Sequence, residues 1–162
     1  MKIYRFLGLL LVSLFCLTTF SCAASAPNFT LESLSGKKLA LTDFRGKVVI
    51  MDFWASWCGP CRMAMPELKK LYEKYHTKGL EVLSLNQGES KNEAERFMKS
   101  ENYPFTVLLD YKGEVGRMYK VSGIPAFFLL DKQGNVVMKE VGFDYGMADK
   151  LSPQIEKLLN AK

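Results

Sequence analysis

The chain has 162 residues, enough for one domain and short for two. Apolar residues make up 48% and charged residues 24%, a globular balance that argues against disorder or a fibrous repeat. Lys and Arg number 22 against 17 Asp and Glu, a net of +5, and no basic block exceeds two residues, so the charge is too weak and dispersed for a nucleic-acid partner. Four cysteines are too few for a disulfide-built mini-protein, and a single histidine, His76, leaves little basis for a His-ligated metal centre.

Residues 1–26 differ from everything after them. Lys2 and Arg5 form a short basic region, Phe6 to Phe20 run without a charge, and small residues follow in Ser21-Cys22-Ala23-Ala24-Ser25-Ala26. Basic, apolar and then small is the order of a signal peptide, and the apolar run is short for a membrane span. Cys22 after Ser21 resembles the acceptor cysteine of a bacterial lipoprotein, with Thr19 where a Leu-like residue is usual. Cleavage elsewhere within Ser21–Ala26 and a retained anchor are the other routes. Each places a folded domain, residues 27–162, outside the cytoplasmic membrane, in the periplasm or on the outer cell surface, tethered or released.

From Pro27 the chain alternates strand and helix signals. Phe29–Leu31 and Lys38–Leu41 read as a small hairpin. Lys47–Ala55 is a near-continuous apolar run rich in β-branched and aromatic residues, as expected of a central parallel strand. A helix is expected from Pro60 to His76, with Leu68, Leu71, Tyr72 and Tyr75 at helical spacing and a kink at Pro66. Leu80–Leu85 is a second strand. Ser90 and Glu93 have capping-box spacing and open a helix reaching Asn102. A third strand, Thr106–Leu109, precedes a short helix around Val115–Tyr119. Ala126–Leu130 and Val136–Val141 form a hairpin, and a last helix spans Met147 to Leu159. The order predicts an α/β fold, a mixed sheet with helices on both faces.

Trp57-Cys58-Gly59-Pro60-Cys61 falls where the central strand hands over to a helix. A cysteine capping a helix has its sulfur near unpaired N–H groups and the positive end of the helix dipole, which stabilise the thiolate that attacks disulfides. Cys61, one turn inside, is placed to resolve the mixed disulfide, and Pro60 suits a first turn, where its missing N–H costs nothing. Half a zinc site would need further ligands, yet Cys16 and Cys22 lie in the leader and His76 stands alone. An inert disulfide closing so small a loop would stabilise little.

The segment Asp52-Phe53-Trp54-Ala55-Ser56-Trp57-Cys58-Gly59-Pro60-Cys61 resembles the active-site segment of thioredoxins. The wider chain, residues 27–160, is similar to the exported TlpA/ResA-like branch of that superfamily. It shares Pro27-x-Phe29-x-Leu31, Arg45-Gly46-Lys47, an extra helix-and-strand segment over 86–110, and Gly123-Ile124-Pro125. The resemblance implies a thioredoxin fold with an N-terminal hairpin and a helix-strand insertion. It implies that Pro125 is a cis-proline beside the cysteine pair, that Trp57, Gly59, Pro60 and Ile124 border the substrate groove, and that Val141 and Gly142 form its other wall. Asp52 matches the family's buried acid; strongly apolar neighbours would raise its pKa, fitting it to accept the proton of Cys61. Ala64 stands where ResA-like proteins carry a glutamate, so the resemblance does not bring a dedicated cytochrome-maturation role with it.

The reading is therefore an exported protein-disulfide oxidoreductase without cofactor or metal, monomeric, acting on disulfide-containing exported proteins. Its Gly-Pro spacer resembles that of thioredoxin and favours net reduction, which implies a membrane thiol electron donor. An oxidase or isomerase using the same site, a redox-inert client-binding module and a thiol peroxidase are the rivals. The last would need a threonine where Ala55 stands.

Overall fold

A computed structural model describes residues 25–161. Residues 1–24, with Cys16 and Cys22 and most of the expected signal segment, lie outside them. Seven strands form one sheet: β1 (Thr30–Ser33), β2 (Lys38–Ala40), β3 (Val48–Trp54), β4 (Leu80–Gln87), β5 (Thr106–Asp110), β6 (Ala126–Leu130) and β7 (Val136–Val141). Four helices accompany them: α1 (Gly59–Tyr75), α2 (Lys91–Glu101), α3 (Glu114–Met118) and α4 (Met147–Asn160). The sheet order is β2-β1-β5-β4-β3-β6-β7; β3, β4 and β5 run parallel, and the other neighbours pair antiparallel. The expected α/β class is observed, and α1 continues through Pro66 as one helix.

Every residue of β3 is buried because the strand is paired on both edges and covered on both faces. Its side chains alternate between two cores. Val48, Ile50 and Trp54 join a core with α1, α2 and α4, whereas Val49, Met51 and Phe53 face α3 and the N-terminal segment. The alternation puts Asp52 on the α1 side, the side that also holds Cys61. Helix α1 is fastened over this face by Ala64, Met65, Leu68 and Leu71, each at most 1% exposed. The insertion supplies α2, opened by the reciprocal Ser90–Glu93 capping box and closed by Asn102 in the left-handed conformation. Its strand β5 enters between β4 and the hairpin.

Ser25 and Ala26, which the sequence assigns to the leader, join the folded unit. Ser25 bridges Asn135, the Ala26 N–H donates to the Gly134 carbonyl at 3.0 Å, and Ala26 is buried. The Tyr119 hydroxyl then fixes the next residue by donating to the Pro27 carbonyl at 2.6 Å.

Leu68 anchors α1 from a fully buried position. Leu68→Ala is expected to cost about 2–5 kcal/mol in urea-monitored stability, the loss typical of a large-to-small core change.

Candidate active site

The chain leaves β3 at Trp54 and enters α1 at Gly59, and this short passage carries the cysteines. Cys58 is the N-cap of α1: its backbone is extended, and its Sγ accepts the Cys61 N–H at 3.2 Å. Gly59 and Pro60 fill the first turn, exposed to solvent. Cys58 and Cys61 are joined as a disulfide, with Cα atoms 5.2 Å apart. Both are buried, Cys58 at 4% exposed and Cys61 at 1%, while Trp57 stands out at 72%.

Ile124 and Pro125 approach from the other side. Their peptide bond is cis, and the Ile124 carbonyl oxygen lies 3.7 Å from Cys58 Sγ. Pro125 is buried, and its carbonyl accepts the Gly142 N–H at 2.8 Å, which brings the end of β7 to the same place. The structure thus gathers Trp57, Cys58, Ile124, Pro125 and Gly142 from three separate stretches of chain.

Asp52 is 1% exposed, and burial pushes its carboxyl up from 3.8 to about 8. The Ser84 hydroxyl, its register partner on β4, donates to Oδ2 at 3.3 Å and offsets a small part of that rise. The alternation along β3 and β4 directs both groups to the α1 side, where Cys61 is also buried. A carboxyl of this proton affinity on the same side of the sheet as Cys61 matches a thiol of ordinary pKa near 8.5 closely enough to exchange a proton with it at little cost.

Ser84 was not legible as a site residue, since one serine in an apolar strand carries no signal of its partner. Glu89 was not either. Its buried carboxylate accepts the Ser56 N–H at 2.7 Å, the Asn86 side-chain amide at 2.6 Å and the Ser56 hydroxyl. That grip holds the chain two residues before Cys58 against the end of β4. Ala64 is buried against the core and brings no acid to the pair. Glu67 faces α4, where it accepts the Ala148 N–H at 3.1 Å.

The pattern of the Redoxin family matches residues 23–158. A thiol-disulfide oxidoreductase ResA of Bacillus thuringiensis subsp. konkukian is 41% identical over 117 residues, 72% of this chain and 68% of that protein. The Bacillus subtilis protein of the same name is 39% identical over 124 residues, covering 76% and 69%. Among solved structures, a putative thiol:disulfide interchange protein DsbE from Chlorobium tepidum superposes with TM-score 0.80 at 38% identity, covering 85% of this chain and 97% of that one. The chain belongs to the redoxin family of the thioredoxin superfamily, as a ResA-like member. It is a thiol-disulfide oxidoreductase with a Cys58–Cys61 pair.

The Asp52 shift has a stability consequence. The folded protein keeps this proton up to about pH 8, whereas the unfolded chain releases it near 3.8. The stabilisation of the folded state by the neutral acid is therefore complete below about pH 3.8 and is lost as pH rises towards 8. Asp52→Asn is expected to be more stable than the native protein by up to about 4 kcal/mol at pH 7, with the gap shrinking towards pH 4. Urea unfolding at both pH values checks this; a gap independent of pH would contradict it.

Proposed function

We propose that the protein reduces disulfides of exported partner proteins, and that it works outside the cytoplasmic membrane on a lipid tether at Cys22. The observation that carries the redox reading is the Cys58–Cys61 pair at the start of α1, with Gly59-Pro60 between the sulfurs. In the reduced protein the Cys58 thiolate, held by the helix N-terminus, attacks one sulfur of a partner disulfide. The partner's S–S bond breaks, its second sulfur leaves as a thiolate, and a mixed disulfide remains on Cys58. Cys61 then gives its proton to the ionised form of Asp52 and attacks Cys58 Sγ. The partner departs with two thiols, and the protein keeps the disulfide. Two electrons have moved to the partner, and a membrane thiol donor restores them.

Trp57, Gly59, Pro60, Ile124, Pro125 and Gly142 border the groove that receives the partner, as their convergence on Cys58 suggests. The direction of electron flow rests on the Gly-Pro spacer: thioredoxin, a reductant, has a potential of about −270 mV against about −120 mV for a strong oxidant. The tether is supported by Ser25 and Ala26. Their contacts with Gly134 and Asn135 argue against cleavage after Ala26 and are kept by processing ahead of Cys22, as by any cut before Ser25.

Two measurements test this reading. Cys61→Ser is expected to accumulate a mixed disulfide through Cys58 when offered oxidised insulin, and the native protein to reduce insulin with a donor thiol present. Failure of both would overturn it. Asp52→Asn should slow release of the mixed disulfide by about a hundredfold or more, the range of a lost general base, while leaving its formation nearly as fast.

A further inference from the structure

Seven large apolar side chains stand exposed among the described residues, and four of them belong to the segments that meet around Cys58: Trp57, Met63, Val141 and Tyr145. Tyr145, 80% exposed, extends from the loop between β7 and α4, and its hydroxyl donates to the Met63 sulfur at 3.5 Å across from α1. Phe143 backs it with ring centroids 5.1 Å apart in an edge-to-face pair. The loop bearing these rings is bounded by Gly142 at φ 95° and Gly146 at φ 80°. Both angles favour glycine, so the loop leaves β7 and re-enters α4 through left-handed bends that point it towards α1.

Isolated exposed apolar residues need no explanation, but a cluster around a reactive atom marks a contact surface. Its composition is that of a binding surface: Trp and Tyr are the side chains most often dominant in interfaces, and Met adapts to varied partners. The charges beside it are compensated, because Lys150 pairs with Glu140 at 2.6 Å and is drawn by Asp144 as well. Behind the loop, Val141, Gly142, Phe143 and Met147 help line a cavity of about 140 Å³. The Gly142 N–H to Pro125 bond ties the start of this loop to the cis-proline whose neighbour Ile124 approaches Cys58.

We infer that Tyr145 and Met63 form a further wall of the partner groove, selecting an extended polypeptide segment whose cysteine is flanked by apolar or aromatic residues. The inference rests on the reading that the protein exchanges disulfides with partner proteins. Cys58 is almost covered, and the exposed Trp57 beside it in the chain and the loop that runs from Gly142 on Pro125 to Tyr145 on Met63 are the apolar surfaces a segment delivering a sulfur to it would meet. Burying those side chains contributes binding that a polar segment does not recover.

Two synthetic peptides with the same intramolecular disulfide test this, one carrying leucine and phenylalanine outside the cysteines, the other serine and asparagine. Each rate of reduction by the reduced protein is divided by the rate on a small symmetric disulfide, so that changes in thiol reactivity cancel. The native protein is expected to favour the apolar peptide by about tenfold in kcat/KM, and Tyr145→Ala with Met63→Ala to bring that preference to within about threefold of unity. Tyr145→Phe, which keeps the ring, should retain the preference. Equal rates in the native protein, or a preference surviving in the double variant, would overturn the inference alone. Reaction with the small disulfide but with neither peptide would overturn both this inference and the partner-protein reading, and no reaction at all would remove the redox assignment.

Discussion

The structure turns on the junction between β3 and α1. A central strand with partners on both edges has nowhere to go but out of the sheet, and within four residues the chain must start a helix that packs back over it. A helix start leaves N–H groups without partners, and here a cysteine sulfur takes one of them, that of Cys61. The same arrangement that completes the helix therefore sets the reactive sulfur in the most favourable field the backbone offers for a thiolate. Fold and chemistry share one interaction.

Around that junction the protein holds two buried carboxyl groups in opposite circumstances. Asp52 has a single long hydrogen bond from Ser84 and an apolar face around it, so burial wins and the group stays protonated up to about pH 8. Glu89 has three donors on its two oxygens, from the Ser56 backbone and hydroxyl and the Asn86 amide. An acid with few donors is fitted to move a proton, and one with many is fitted to hold a loop. Removing Asp52 should relieve the fold, whereas removing Glu89 would leave the Ser56 N–H without its partner.

What could be read from the sequence was local or one-dimensional. The run Val48–Trp54 announces a strand covered on both faces, and Ser90 with Glu93 announces a helix start, because both signals lie within a few residues. Cys58, Cys61, Asp52 and Pro125 were visible through motif and resemblance. The contacts that complete the site join distant positions and left no such mark: Ser84 under Asp52, Glu89 on Ser56, Tyr145 on Met63. The pairing of the N-terminal hairpin with β5 is of the same kind, since nothing in either strand names the other. Ser25 and Ala26 read in the sequence as part of a cleavage region because small residues suit one, and only the turn at Gly134–Asn135 shows that they also suit a place in the fold.

The reduction potential of the Cys58/Cys61 couple, equilibrated in thiol/disulfide buffers and read by thiol trapping or by the fluorescence of Trp57, tests the central claim most directly. A reductant built on a Gly-Pro spacer should lie near or below about −250 mV. A value above about −200 mV would contradict the account and mark the protein as one that donates or rearranges disulfides.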